Sequence, residues 1–324
     1  MTADTVGGVW TYACELAAEL ERRELEVVIA AMGREPREPL MAGLDVRFAP
    51  FALEWMEDPW DDVERAGDWL LELRDEVEPA IVHVNGYAHA ALDWSAPVVS
   101  VAHSDVLSWF EAVRGTPAPR SWARYAAVVE AGLDAADVVV SPTCAQLESL
   151  ERHYRFASQR TVIPNGRRPL SARLKEPLVA AAGRAWDEAK GLDRLARLSL
   201  PWPLEVADGT RPAAETEALL ARAAIFVEPA RYEPFGLAAL EAAGTGAALV
   251  LGDIASLREV WGDSALFVAN ERELDEAVRA LIAADGLRRE YGERARRRAR
   301  ELSPDRMADA YLALYTGLRS KVAA

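Results

Sequence analysis

The stretch Ile225–Ala242, IFVEPARYEPFGLAALEA, decides the fold of this chain. It begins with the apolar run of a buried strand and continues, after a short loop, into a helical pattern. A strand that leads at once into a helix is typical of a doubly wound parallel sheet. Pro234 suits the start of a helix, and Gly236 lets a ligand approach the backbone. The N–H groups of Phe235, Gly236 and Leu237 therefore predict a phosphate or sugar-hydroxyl site at the helix N-terminus.

The same alternation of short apolar runs and helical patterns extends outward in both directions. The other predicted strands are Val27–Ala31, Ala80–Val84, Val98–His103, Val138–Ser141, Arg160–Pro164, Leu178–Ala182, Leu204–Ala207, Ala247–Leu251 and Ala265–Val268. Helical patterns cover Trp10–Arg23, Asp62–Glu76 and Arg120–Ala135. Strands this apolar suit parallel sheets that are buried on both faces. The predicted fold class is α/β, with two Rossmann-like doubly wound domains facing across a cleft.

A linker is predicted at residues 165–177, where glycine, prolines and charges occur without periodicity. It separates an N-terminal domain, residues 1–168, from a C-terminal domain, residues 169–303. The C-terminal helix, about residues 304–324, is expected to pack back on the first domain. Parallel sheets bind ligands beyond the carboxyl ends of their strands, so the ligand is expected in the cleft between the domains.

Two segments are shorter than this architecture leads us to expect. Only MTAD stands where a strand should precede the first helix. Residues 203–223 leave little room for a complete crossover between parallel strands. The sequence leaves open whether these regions are naturally short or lack segments.

Composition excludes several classes of protein. A formal net charge of -15 opposes binding to nucleic acid and to an anionic bilayer, although peripheral membrane contact stays open. No apolar run is long enough for a transmembrane helix, and the N-terminus does not resemble a secretory signal. The two cysteines, Cys14 and Cys144, cannot form a disulfide framework or a zinc site and are expected in the core. A cytoplasmic protein is the expectation.

Several polar residues follow the predicted strands. Glu233 and Glu241 lie before the central helix and two turns into it, where carboxylates could accept hydrogen bonds from sugar or ribose hydroxyls. A helix N-terminus with an acidic cap explains them equally well. His103 ends one strand and could orient a hydroxyl, although a hydrogen-bonded core histidine is the alternative. Asn85, Tyr87 and His89 follow another strand and are weaker acceptor-side candidates.

The spacing Glu233-x7-Glu241, with Pro-Phe-Gly-Leu between the two carboxylates, resembles the signature of family 4 of the retaining GT-B glycosyltransferases. Other segments resemble that family in the same order. They are Thr5–Trp10 (TVGGVW), Val101–Ser104 (VAHS), Val162–Gly166 (VIPNG), Gly183-Arg184 with Lys190-Gly191, and Leu257–Val260 (LREV). A lone Gly-Gly or His-Ser is weak, but five such segments in order are a strong resemblance that covers nearly the whole chain.

The resemblance implies that the N-terminal domain, residues 1–168, is the acceptor side and that the C-terminal domain, residues 169–303, binds a nucleoside diphosphate sugar as donor. Arg184 and Lys190 would hold the diphosphate, on which charge develops as it leaves. The backbone of Gly7 and Gly8 would close over the diphosphate or the sugar.

By the same resemblance, Glu241 would bind the ribose and Glu233 the transferred sugar. His103 would serve the acceptor side. No Asp-x-Asp occurs in the sequence, so the metal-bridged diphosphate site of the other main glycosyltransferase fold is not expected.

The predicted function is that of a metal-independent, retaining hexosyltransferase without a cofactor. Its donor would be a UDP-, GDP- or ADP-linked hexose, and its acceptor a sugar, a lipid or a small molecule. Two alternatives stay open: another enzyme on the same scaffold, such as a nucleotide-sugar epimerase or a phosphorylase, and a non-catalytic sugar-nucleotide-binding protein. The two short segments are the reason to keep the second alternative. The sequence does not identify the base, the sugar, the acceptor or the oligomeric state.

Overall fold

The structure, a computed structural model, describes residues 1–35, 43–171 and 173–322. The chain forms two compact units. The first unit comprises Met1–Glu111, Thr116–Gly166 and Pro304–Ala324, and the second comprises Ala112–Gly115 and Arg167–Ser303. The predicted division at residues 168 and 169 assigns acceptor and donor roles to the two parts, and that assignment stays a prediction.

Strands and helices alternate along most of the chain. The strands are β1 (Thr2–Asp4), β2 (Val28–Met32), β3 (Asp45–Ala49), β4 (Val82–Val84), β5 (Val98–Val101), β6 (Val138–Ser141), β7 (Gln159–Val162), β8 (Glu176–Ala182), β9 (Leu204–Ala207), β10 (Ala223–Glu228), β11 (Ala248–Gly252) and β12 (Leu266–Val268). The α-helices are α1 (Gly8–Glu21), α2 (Trp60–Val77), α3 (Val106–Trp109), α4 (Ala123–Ala135), α5 (Cys144–His153), α6 (Ala213–Arg222), α7 (Leu237–Gly244), α8 (Ala255–Trp261), α9 (Glu271–Ala283), α10 (Asp285–Glu301) and α11 (Pro304–Val322). The pairing of the strands is parallel throughout the described part of the chain. The predicted α/β architecture is confirmed.

The first unit contains the ladders β1-β2-β3 and β4-β5-β6-β7. Asn85 follows β4, and its backbone N–H donates to Thr2 Oγ1 of β1 at 2.9 Å. Strand β4 therefore lies beside β1. From β1 the chain proceeds to β2 and β3 on one side, whereas β5 to β7 extend the sheet on the other. Such a reversal is a topological switch point, where loops after neighbouring strands diverge and leave room for a ligand.

The second unit has the strand order β12-β11-β10-β8-β9, which places its switch point between β8 and β10. All six residues of β10 are buried. Phe226 packs with the cluster that contains Leu249 and Trp261, whereas Ile225 packs with the cluster that contains Val278. Because successive side chains of a strand point to opposite faces, the helices cover both faces of this sheet.

Both segments that looked too short form regular secondary structure. Strand β1 pairs with β2 from Thr2 to Asp4, and the terminal amine of Met1 donates to Val28 O at 2.8 Å. In the second segment, α6 leads directly into β10 at Ala223. Because β9 lies next to β8, the chain has to pass only one strand to reach β10.

The sequence analysis missed strand β3 and misplaced one cysteine. In β3 only Ala49 is buried, so its pattern lacks the continuous apolar run used to find the other strands. Cys14 is buried as expected, but Cys144 begins α5 and is exposed. None of the helices formed by the described residues combines the length and the apolar character needed to cross a membrane.

Candidate functional site

The predicted donor residues of the second unit lie on two loops at its switch point. One loop follows β8 and carries Lys190; the other follows β10 and carries Glu233. Gly191, with a φ of 63°, allows the two loops to touch, since a Cβ atom there would lie 2.2 Å from Pro229 O. The N–H of Arg231 donates to the carbonyl of Ala189 at 2.7 Å. Local backbone geometry therefore brings together residues that are 43 positions apart.

Lys190 and Glu233 form a buried ion pair between Nζ and Oε2. Their side chains are only 19% and 12% exposed, so solvent screens the pair weakly. Burial opposes the charge of Lys190, but the carboxylates of Glu233 and Glu228 outweigh it and raise its pKa. Burial also opposes the charge of Glu233, but Lys190 and two backbone N–H groups lower its pKa. Both residues are therefore charged at neutral pH.

Glu233 also hydrogen-bonds to the backbone at the start of α7, where a phosphate or sugar-hydroxyl site was predicted. Its Oε1 accepts hydrogen bonds from the N–H of Gly236 at 2.9 Å and of Phe235 at 3.3 Å. These N–H groups were predicted to be open to a phosphate, but the carboxylate already binds them because it lies at the positive end of the helix. The Phe235 side chain is buried, and Leu237, the first residue of α7, is half-buried. Gly236 has a φ of 90°, which explains why glycine occupies this position.

Arg184, on the same loop as Lys190, is held on two sides. Its Nη2 donates to Asp187 Oδ2 at 2.8 Å, and its guanidinium lies 4.9 Å from the ring centroid of the exposed Trp186. Its Nε atom is buried without a hydrogen-bond partner in the described part of the chain. A buried donor without a partner is costly, and a phosphate oxygen is an acceptor of the right chemistry for it.

Glu241, the predicted ribose ligand, forms an ion pair in the structure. Its Oε1 accepts from Arg167 Nε at 2.8 Å, and Arg167 Nη2 also donates to Glu217 at 2.9 Å. The side chains of Arg167 and Glu241 are 16% and 14% exposed. The sequence analysis counted Arg167 only among the charges of the linker, because nothing in the local pattern indicates a partner 74 residues away.

In the first unit, Gly7 and Gly8 lie at the carboxyl end of β1 and begin α1. Gly7 has a φ of 88° and occupies the N-cap position without a side-chain cap, and the first turn of α1 has no acidic residue. The turn before it is fixed by Asp4, whose Oδ1 accepts from the N–H of Val6 at 2.6 Å. Both glycines are exposed. The positive end of a helix of 14 residues is thus open at this switch point.

His103 belongs to a polar cluster at the end of β4 and β5. The Asn85 side chain donates through Nδ2 to Thr2 O at 2.7 Å, which turns its Oδ1 toward two imidazole rings. Nε2 of His103 lies 2.8 Å from that oxygen and Nε2 of His83 lies 3.2 Å from it. Because Oδ1 can only accept, both rings carry their proton on Nε2. Tyr315 of α11 then donates to Nδ1 of His83 at 2.5 Å.

This cluster is neutral at neutral pH. Burial lowers the pKa of His103 to about 3. Burial and, to a smaller extent, the charge of the terminal amine lower the pKa of His83 to about 3. The ring of Tyr12 packs edge-on against His103 with 4.6 Å between centroids. His103 is partly exposed, so its unprotonated Nδ1 is an acceptor that can orient a hydroxyl group.

Tyr87 and His89, the other acceptor-side candidates, both hydrogen-bond to backbone carbonyls of the first unit, and their acceptor-side roles stay predictions. The ring of Tyr87 lies in the core, 2% exposed, and its hydroxyl donates to the carbonyl of Ser104 at 2.9 Å. The ring of His89 donates from Nε2 to the carbonyl of Val63 at 3.1 Å and joins the 3-10 turn Ala88–Ala91 to α2. Both side chains have structural partners, whereas Asn85 contacts His103 directly.

Glu228 is the group at the second switch point that sequence reasoning missed. It is 2% exposed and its Oε1 lies 3.9 Å from Lys190 Nζ. A carboxylate at the end of the apolar run of β10 was a visible signal, because acidic residues are almost never fully buried without a partner. Within the described ranges, no three or more His, Cys, Asp and Glu side chains are grouped so that they could hold a metal ion.

Fold and sequence comparisons define the class of this protein. The chain resembles a sucrose-phosphate synthase from Thermosynechococcus elongatus with a TM-score of 0.79 at 20% identity, over 97% of this chain and 94% of that one. That likeness shows the two-domain, Rossmann-like GT-B fold. Residues 6–169 match Glycosyltransferase Family 4, and residues 208–298 match Glycosyl transferases group 1. The chain therefore belongs to Glycosyltransferase Family 4, and the predicted family is confirmed.

Two curated relatives match shorter segments. An O-antigen chain mannosyltransferase B of Escherichia coli is 34% identical over 124 residues, which is 35% of this chain and 29% of that protein. An alpha-maltose-1-phosphate synthase of Mycolicibacterium smegmatis is 35% identical over 115 residues, which is 32% of this chain and 30% of that protein. The matches thus span less than a third of the length of these relatives.

Proposed function

We propose that the chain is a retaining glycosyltransferase that moves a hexose from a nucleoside diphosphate sugar to an acceptor. The observation that carries the proposal is the buried pair of Lys190 and Glu233 at the carboxyl ends of β8 and β10. A cation fixed at a switch point, with little solvent to screen it, is suited to a diphosphate leaving group. The family membership and the names of the relatives support a sugar as the transferred group.

Lys190 and Arg184 would hold the diphosphate together. Lys190 supplies a charge on a buried side chain, and Arg184 supplies the buried Nε–H that has no partner among the described residues. Negative charge that develops on the leaving diphosphate strengthens both contacts in the transition state, which is what lowers the barrier. The open N-terminus of α1 at Gly7 and Gly8 would contribute backbone donors for the diphosphate or the sugar.

Glu233 would bind the transferred sugar and steady the positive charge that develops near its anomeric carbon. The pKa of Glu233 is lowered, so it is a carboxylate at neutral pH. Glu241 would accept from ribose hydroxyls once Arg167 shares it with the ligand. On the acceptor side, Nδ1 of His103 would accept a hydrogen bond from a hydroxyl group. Retention of the anomeric configuration follows the family that the sequence resembles.

Non-catalytic binding of a sugar nucleotide was kept as an alternative because two segments looked short. Strand β1 and the connection from β9 to β10 are both formed, so these reasons no longer favour that alternative. Transfer is also favoured over epimerisation by the cluster at the second switch point, where the fixed cations suit a diphosphate that leaves.

The first test is a thermal-shift panel with UDP, GDP, ADP and their hexose conjugates. A ligand at about 100 times its Kd should stabilise the protein by about 2.7 kcal/mol. We expect one nucleotide series to raise the melting temperature of the wild type. The donor of that series is then offered to a set of sugar, lipid and small-molecule acceptors. Donor binding without turnover on any acceptor would support the non-catalytic alternative, and no binding at all would contradict the donor site.

Stereochemistry and metal dependence are tested on the same reaction. We expect the product to keep the anomeric configuration of the donor, which NMR coupling constants report directly. We also expect activity to persist in excess EDTA, because Lys190 and Arg184 supply the positive charge. Inversion would contradict the retaining assignment, and strict dependence on added Mg²⁺ or Mn²⁺ would contradict the metal-independent one.

A further inference from the structure

The carboxyl group of Glu228 is buried without enough hydrogen bonds or opposite charge around it to offset its desolvation. It is the last residue of β10 and is 2% exposed. Its Oε1 lies 3.9 Å from Lys190 Nζ, and no described residue forms a hydrogen bond with its Oε2. That second oxygen lies against the start of α7, 3.4 Å from where a Cβ atom of residue 236 would be. A buried carboxyl oxygen without a partner lowers stability, so a structural role alone does not explain the residue.

Three ionisable groups share this small volume. Lys190 comes from the loop after β8, Glu233 from the loop after β10, and Glu228 from β10 itself. One ammonium can balance only one carboxylate at close range. Glu233 has that ammonium and two backbone N–H groups, whereas Glu228 has the longer contact with Lys190 and, in its protonated form, a hydrogen bond to Glu233. Glu228 is therefore the carboxyl group that takes up a proton.

We propose that Glu228 is a positioning residue of the donor site: in its neutral form it leaves the charge of Lys190 for the diphosphate, and in its ionised form it competes for that charge. The inference rests on the proposed function. It predicts that a nucleoside diphosphate sugar binds to the protein with neutral Glu228, and that the bound diphosphate makes ionisation of Glu228 still less favourable. Binding and protonation of Glu228 are thus linked, each favouring the other.

The direction of the pH dependence follows from the groups around Glu228. Burial first, and then the charge of Glu233 and a hydrogen bond between the two carboxyl groups, raise the pKa of Glu228 to about 8, with Lys190 opposing. Lys190 stays charged because its own pKa is raised, although the charge of Arg184 opposes this. Donor affinity should therefore be constant below about pH 8 and fall by up to about tenfold for each further pH unit.

The experiment measures Kd for UDP-glucose, GDP-mannose and ADP-glucose by calorimetry from about pH 6 to about pH 9. The phosphates of these probes are both esterified and carry no proton that titrates in this range. We expect the wild type to lose about tenfold in affinity across the upper part of the range, and Glu228→Gln to keep the low-pH affinity throughout. Buffers with different ionisation enthalpies should show proton uptake on binding near pH 8 by the wild type and none by Glu228→Gln. Glu205→Gln is the matched control, since Glu205 of β9 is a half-buried carboxylate of the same unit and pairs with Arg222 of α6. It should retain the slope of the wild type.

Each outcome has a separate meaning. If the wild type binds none of the probes at any pH, the donor site itself is wrong. If it binds but Glu228→Gln retains the slope and the proton uptake, only the role of Glu228 is overturned. A second readout needs no ligand: the melting temperature of Glu228→Gln should exceed that of the wild type by a margin that grows from about pH 5 to about pH 8. A margin independent of pH would show that Glu228 is not the group that titrates.

Discussion

The switch points of the two units carry opposite kinds of polar cluster. In the first unit, His83, His103 and Asn85 are neutral, and Asn85 hydrogen-bonds both histidine rings and β1. In the second unit, Lys190 and Glu233 are charged, and Glu228 lacks a partner for one oxygen within the described structure. Burial is common to both. The difference is that an amide cannot stabilise a charged imidazole well, whereas a carboxylate stabilises a buried ammonium.

The comparison shows how one kind of scaffold supports two chemistries. Parallel strands and their switch points fix where side chains meet, and the residues after the strands fix what they do there. The neutral cluster can orient a hydroxyl through His103, while the charged cluster can hold an anion through Lys190. The predictions below change residues of the two clusters and then, for comparison, the ion pairs of Arg167, in order of decreasing effect.

Removal of the fixed cation should have the largest effect. Lys190→Ala should lower turnover of the identified donor by about 10²-fold or more, since the lost contact strengthens in the transition state. Glu233→Gln should lower turnover by a similar factor while it keeps an oxygen for the N–H groups of Phe235 and Gly236. Release of nucleoside diphosphate measures both. Lys175→Ala is the control, because Lys175 precedes β8 at the other end of the strand and bonds Thr245 and Ala221. Wild-type turnover in Lys190→Ala or Glu233→Gln would contradict the assignment of these residues to the donor site.

The two clusters should change stability in opposite directions as the pH falls. His83 has a folded-state pKa of about 3 against 6.5 in the unfolded chain, so the unfolded state binds the proton first as pH falls. Its contribution is complete above about pH 6.5, and about 2 kcal/mol of it should be lost by about pH 5. Urea unfolding at the two pH values measures this loss.

His83→Gln cannot take up that proton and should show a smaller loss over the same pH range. Glu228→Gln should not reduce this loss, because the raised pKa of Glu228 lowers stability as the pH rises from about 5 to about 8 and so acts in the opposite direction. If His83→Gln loses as much stability as the wild type between these two pH values, this histidine is not buried in its neutral form.

Introduction of a charge into the neutral cluster should raise the pKa of His103. In Asn85→Asp, a carboxylate replaces the amide oxygen that accepts from both imidazole rings, so the pKa of His103 should rise by more than about one unit. NMR titration of the histidine side chains measures it. The signals of His153, which pairs with Glu111 in another part of the first unit, should not change. A His103 that still titrates as in the wild type would show that Asn85 does not hold it.

The smallest effect should come from the pair of carboxylates at Arg167. Glu217 is 42% exposed and Glu241 is 14% exposed, so solvent screens the first pair more strongly. Glu217→Gln should lower the free energy of unfolding by less than about 1 kcal/mol, and Glu241→Gln by a larger amount. Chemical denaturation of both variants gives the comparison, and equal losses would contradict it.

Much of the fold was predictable because buried parallel strands have a continuous apolar pattern. Strands β6 and β9 were predicted at the residues where they occur, and α2 within two residues at its start. Strand β3 was missed since an edge strand with one buried residue lacks that pattern. Strand β1 looked inadequate at three residues, but neighbours on both sides hold it: its ladder with β2, and the bonds between Thr2 and Asn85.

The candidate site was predictable in its residues and not in their contacts. Glu233, Lys190 and Arg184 were found from their motifs, and the structure joins the first two. In the structure, the N–H groups of Phe235 and Gly236 donate to Glu233. Tyr87 and His89 hydrogen-bond to backbone carbonyls of the first unit. Arg167 was missed because its partner Glu241 is 74 residues away in sequence, whereas Glu228 was missed although a carboxylate at the end of an apolar run was a visible signal.

The sequence by itself determined the class of fold, the family and the residue types at the ends of the strands. These properties are local, since hydrophobic pattern and motif spacing are written along one segment at a time. Only the tertiary structure decided which groups are charged, which tautomer His103 adopts and which carboxyl oxygen lacks a partner. Burial and pairing set those properties, and both depend on neighbours that folding brings together.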